Sequence, residues 1–128
     1  MNIVLAGRHK SIIIDSYDFL YIRVKIAYMF SDKLGYCFDN FIHSEKDDEK
    51  ESYYLKSISE THKHKWLFKF LYSSLSEGRL SYKNCIKLLF LIDTITEKTD
   101  EKITVFKKVL EDCVLYKTSL LWLSLVNK

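Results

Sequence analysis

EGRLSYKNCIKLLFLIDTI, residues 77 to 95, is the stretch whose reading decides the fold. Apart from Lys87, the run from Ile86 to Ile92 is apolar around the whole helical wheel, the pattern of a helix buried on every side. Ser81 is placed to accept a hydrogen bond as N-cap, and Gly78 just upstream gives the backbone freedom for a sharp entry. The stretch reads as a central core helix, with the other elements packed around it.

Upstream, HKHKWLFKFLYSSLSEG reads as a helix with Trp66, Leu67, Phe70, Leu71 and Leu75 inward and His62, Lys63, Lys65 and Lys69 outward. Tyr53, Tyr54, Leu55 and Ile58 form a smaller helical stripe before it. SEKDDEKES, residues 44 to 52, carries charges of both signs and no apolar residue, and reads as a solvated loop or a frayed helix start. Cys37, Phe38, Phe41 and Ile42 make a short apolar patch. From Ser16 the pattern is helical, capped by Asp15 or Ser16, with Asp18, Lys25 and Asp32 on one polar face and Gly35 as its stop. Residues 1 to 15 hold two short apolar runs around Gly7, Arg8, His9 and Lys10; the β-branched Ile12, Ile13 and Ile14 favour extended backbone, so this segment reads as an arm on the bundle.

Downstream, TEKTDEK is a turn with Thr99 and Asp100 as caps. Ile103, Phe106, Val109, Leu110 and Cys113 then trace an amphipathic helix, and Thr118 to Val126 reads as a closing helix with Trp122 at its middle. The expected fold class is all-α: five or six helices in a single domain over residues 1 to 128. An apolar content of 48% with 15% aromatics excludes a disordered chain, and the absence of proline leaves helices uninterrupted.

The charge of +3, with acids and bases interleaved, does not point to nucleic acid. Cys37, Cys85 and Cys113 are odd in number and sit in apolar patterns, which suits small hydrophobes in a reducing, intracellular protein. The apolar runs near both ends are too short for a signal peptide or a membrane span. His62 and His64 lie two apart, about 200° on a helix, and cannot share a metal. No nucleophile elbow, phosphate loop or carboxylate pair occurs, so neither an enzyme nor a cofactor is expected. His62 to Lys65 with Trp66 and Lys69 could touch phosphates, but the acids between Glu45 and Glu51 would repel polyanions. Protein recognition is the default function.

Two segments bring a known family to mind. YDFLYIRVKIAYMFSDKLGYCFD, Tyr17 to Asp39, resembles the fourth homology region of the Bcl-2 family of apoptosis regulators in its Tyr-Asp start, its central apolar and lysine positions and its closing Gly35 and Tyr36. Glu77 and Gly78 followed by Leu80, Ser81 and Tyr82 look like the first homology region, with Ser81 for the capping Asn and Tyr82 for the Trp. Lys83 and Asn84 stand where that family has Gly-Arg, so Arg79 or Lys83 would have to supply the pairing cation. The segment from Leu55 through Ile58 to Glu60 is similar to the third motif, with Ser59 for its glycine, and Trp122 falls near the tryptophan of the second.

The resemblance, with the short interval from Glu60 to Glu77, implies a trimmed pro-survival member of the kind found in large DNA viruses. It implies a groove that captures the BH3 helix of host death ligands such as Bim, or of Bak or Bax, in the host cytoplasm or, through those partners, at the mitochondrial surface. Tyr54, Leu55, Ile58, Leu67, Phe70 and Leu71 would wall the groove, and Tyr82, Cys85, Ile86 and Leu89 would floor it. Arg79, Lys83 or Asn84 would meet the ligand acid. Two other classes stand beside this one: a viral decoy for innate-signalling adaptors with a closed groove, and a self-associating structural module, a homodimer, whose isologous patch would comprise Tyr53, Tyr54, Tyr116 and Trp122.

Overall fold

The computed structural model describes residues 1–94 and 100–125. In chain order the elements are β1 (Asn2–Ala6), β2 (Ser11–Asp15), α1 (Ser16–Phe30), α2 (Asp32–His43), α3 (Asp47–Glu60), α4 (Lys65–Leu71), β3 (Glu77–Leu80), α5 (Tyr82–Asp93), α6 (Glu101–Leu115) and β4 (Leu120–Ser124). The strands form one antiparallel sheet in the order β2-β1-β4-β3. The fold is therefore mixed α/β, and the all-α bundle expected from the sequence is corrected. The misread segments are short apolar runs, whose periodicity does not separate a strand from a buried helix. What decides them is pairing with sequence-distant strands.

The corrections follow element by element. Residues 1 to 15 are a β-hairpin inside the sheet rather than an arm. The expected closing helix is β4, and Glu77 to Leu80, expected to lead into the core helix, is β3. The long first helix breaks at Ser31, which adopts extended backbone and whose Oγ accepts from Leu34 N–H at 3.0 Å as the N-cap of α2. Gly35 does not stop a helix; it lies within α2, where the Tyr28 ring leaves no room for a Cβ. The charge run becomes helical from Asp47, because Asp47, Asp48 and Glu49 complement the positive end of α3. Helix α5 starts after Ser81, whose side chain caps it, but it is not buried all round: Cys85, Leu88 and Ile92 are buried whereas Phe90 is 73% exposed. Ile95, Thr99 and Val126, which entered the sequence reading as helix ends and a cap, lie outside the described residues.

The chain divides into two compact units, one comprising Met1–Ile22 with Ser73–Lys128 and the other Arg23–Tyr72, so the boundary falls within α1. In the first unit, Ile3 and Leu5 of β1, Leu80 of β3, and Leu120 and Trp122 of β4 are buried on one face of the sheet. Helix α6 packs on that side against β2 and β4, burying Ile103, Phe106, Val109, Leu110 and Cys113, and α5 packs on α6. Trp122 meets the Phe19 ring edge-on at 5.6 Å and donates its indole N–H to Ser74 O at 2.9 Å.

In the second unit, α2 and α3 pack side by side. Phe38, Phe41, Tyr54, Phe68 and Tyr72 form a continuous aromatic cluster with centroid separations of 4.7 to 6.2 Å. Burial pushes the Tyr72 hydroxyl up to about 12, and that hydroxyl shares a 2.7 Å hydrogen bond with Ser57 Oγ. Arg23 is buried, donates to Leu71 O at 3.1 Å and stacks 5.3 Å from the Phe70 ring centre. Burial lowers its pKa, yet a guanidinium keeps its proton at neutral pH.

One helix residue holds the β1–β2 turn. Gly7 N–H donates to Lys10 O at 2.8 Å, and the Asp112 carboxylate of α6 accepts from His9 N–H at 2.7 Å and Lys10 N–H at 3.1 Å. Burial raises the Asp112 pKa, but the backbone donors of His9, Lys10 and Arg8 outweigh it and hold the carboxyl below its ordinary value. A carboxyl depressed in the folded state contributes stability above its unfolded pKa of about 4 and loses it as pH falls through the folded value. Melting temperature should therefore drop below about pH 4, and Asp112→Asn should flatten that acid slope while lowering stability at pH 7. An unchanged slope in Asp112→Asn would remove this assignment.

Candidate functional site

Alternation along each strand sends every second side chain to the sheet face opposite α6. Following the pairings, one outward row runs Glu77, Leu123, Val4, Ile13 and the next runs Arg79, Leu121, Ala6, Ser11. Leu123 is 58% exposed, Leu121 51% and Ile13 63%; Leu125 just past β4 is also exposed. Val4, Ala6, Gly78, Arg79, Leu121 and Leu123 line a wide, open depression of about 760 Å3 on this side. Strands that are apolar on both faces, such as IVLA in β1 and LLWL in β4, belong in sheets covered on both sides. Among the described residues of the first unit, helix α6 covers one side of the sheet. The other is an apolar patch with a polar rim, the composition of a contact surface.

The rim on β3 carries two opposite charges. Glu77 and Arg79, two residues apart, project to the same face, and Arg79 Nε donates to Ser119 Oγ at 3.0 Å. Gly78 between them faces inward, and the Trp122 indole occupies the space where a Cβ would stand. That close approach lets β3 lie against β4 with a tryptophan beneath it, and so positions the charged pair.

The residues expected to form a groove fall in both units. In the second unit Tyr54, Leu55 and Ile58 are exposed on α3, whereas Leu67, Phe70 and Leu71 of α4 are core. In the first unit Cys85 is fully buried, Tyr82, Asn84 and Leu89 are half-buried, and Lys83 and Ile86 are exposed on α5. Arg79 belongs to a strand and projects from the face opposite to Leu80. Of that set, only Arg79 lies on the apolar sheet face. Tyr53, Tyr54 and Tyr116 are at least partly exposed, but Trp122 is 3% exposed and unavailable to a surface patch. The sheet-face residues Val4, Ala6, Ile13, Leu121, Leu123 and Leu125 were absent from the sequence candidates. Their signal was present in the two short apolar runs of residues 1 to 15 and in the run after Thr118.

The three cysteines are buried and unpaired by disulfide. Among the described residues no cluster of potential metal ligands occurs, and no helix is long and apolar enough to cross a membrane. No protein-family model, curated protein or solved structure matches the chain.

If the Trp122 indole is what fixes β3, then Gly78→Ala should lower unfolding free energy by about 1–3 kcal/mol through overpacking. In a Trp122→Leu background the same substitution should cost less than half as much, a coupling that urea titration of the four proteins measures. Additive effects would show that the indole does not constrain position 78.

Proposed function

We propose that this protein is a self-associating interaction module whose contact surface is the outer face of the β2-β1-β4-β3 sheet. The observation that carries the reading is the set of exposed Ile13, Leu121 and Leu123 with half-buried Val4 between them, on a sheet whose strands β1 and β4 are apolar on both faces. A second apolar sheet is the cover such a face takes in two-sheet folds, where inner faces pack about 10 Å apart. Four strands at about 4.8 Å and five residues at about 3.4 Å give a face of roughly 20 by 17 Å, about 340 Å2 per copy. That is below the roughly 800 Å2 per partner of a standard interface and suits weak, reversible association rather than an obligate dimer.

Capture of a BH3 helix was tied to an all-helical groove. With that architecture replaced by a sheet, the sequence likeness of two segments is its support, and calorimetric titration with BH3 peptides tests it separately. Self-association is read by sedimentation or light scattering across a concentration series. The expected result is a monomer–dimer equilibrium in the micromolar range, moved to monomer by Leu123→Lys with the circular-dichroism spectrum and melting temperature preserved. A chain that stays monomeric at all concentrations, or a dimer indifferent to Leu123→Lys, overturns the reading.

A further inference from the structure

The charges on β3 restrict how two copies can meet. Glu77 and Arg79 lie in adjacent outward rows, with the inward row of Gly78, Trp122, Leu5 and Ile12 between them. A two-fold axis along the strands would lay β3 over β2 of the other copy and set Glu77 over Ile13 of the partner subunit and Arg79 over Ser11 of the partner subunit, which leaves both charges without a counter-charge. Reversing one copy sets acid over base twice. We infer that the occupant of the outer sheet face is a second copy of this chain, docked about a two-fold axis that crosses the strands over the Gly78 row. Glu77 then pairs with Arg79 of the partner subunit, and Arg79 with the partner's Glu77. The inference rests on the proposed self-association and specifies its geometry.

The same operation is favourable along the rest of the face. It lays Leu123 against Leu121 of the partner subunit, Val4 against Ala6 of the partner subunit and Ile13 against Ser11 of the partner subunit, so apolar side chains meet at β4 and β1 and a larger one faces a smaller one at β1 and β2. Rotation of about 30° between packed sheets shifts these pairs by a fraction of a strand spacing without changing which row meets which. The interface is isologous and closes on itself at two copies. The ion pairs sit at its rim, where they select orientation and add little affinity.

Charge reversal separates this geometry from self-association by any other route. Arg79→Glu alone and Glu77→Arg alone should each weaken the dimer about tenfold at low salt, since each creates two like-charge contacts. Glu77→Arg with Arg79→Glu should restore the affinity to within about threefold, since the reversed pair is again complementary under a two-fold axis. Added salt should weaken the wild-type dimer and strengthen the single reversals. All are read by sedimentation equilibrium, with Leu123→Lys and Ile13→Lys in parallel and a melting curve for each variant. Rescue by the double reversal, together with loss of the dimer in both lysine variants, supports the inference. Loss of the dimer in both lysine variants with no response to the reversals overturns the two-fold register alone. A dimer that survives both lysine variants overturns the contact face and the register together.

Discussion

Leu5 and Trp122 stand opposite each other at the centre of the sheet although they are far apart in sequence, and this antiparallel pairing of β1 with β4 is what the first unit depends on. Strand β3 pairs with β4 and with no other strand, so without β4 it has no place in a sheet. Strand β1 would retain β2 alone, and an isolated hairpin is marginal in water. The long connection is a small obstacle, because loop-closure entropy grows only logarithmically with length. What offsets it is local and large: Trp122 buried against Phe19, its indole N–H satisfied by Ser74 and its ring accommodated by the missing side chain at Gly78.

The same pairing creates the candidate site. Bringing three apolar strands side by side buries one set of side chains under α6 and necessarily aligns the alternate set on the other face. A sequence that wanted a solvated outer face would alternate apolar with polar; β1 and β4 do not, and β2 departs from it at Ile13. The exposed row is thus written into the strands themselves, while specificity is left to the few polar residues at the margin. Anchoring the β1–β2 turn to Asp112 keeps this surface stiff, because the hairpin is fastened to the helix beneath it by backbone donors rather than by mobile side chains.

Elements defined by local chemistry were legible. Ile103, Phe106, Val109, Leu110 and Cys113 announce α6 by spacing alone, and all five are buried. The caps at Ser81 and Asp100 were readable as residue types that compete for helix N–H groups. The strands were not legible as a sheet. Leu120 to Leu123 could as well have been a buried helical turn, and its state is settled by two partners, β3 some forty positions away and β1 more than a hundred, neither of which lies in a local window. Helix α5 misled for a related reason. A wheel that is apolar all round signals full burial only if enough structure exists to surround it, and here Phe90 is left uncovered. Of the candidate site, Arg79 was singled out as a cation, but the surface it borders arises from the sheet and could not be assembled before the sheet was known.

Synthesis on the ribosome gives the β1–β4 pairing a temporal meaning. At roughly 5–20 residues per second, the chain between the two strands takes on the order of ten seconds to appear, and β1 and β2 are complete throughout that interval. The edge of β1 destined for β4 is open for as long as that, with Ile3 and Leu5 uncovered on one side and Val4 on the other. Any β4 segment nearby satisfies the same register, including one on a neighbouring nascent chain. On a polysome, therefore, the native partner competes with its own copies, and exchange of β4 between chains is the characteristic way for this topology to go astray.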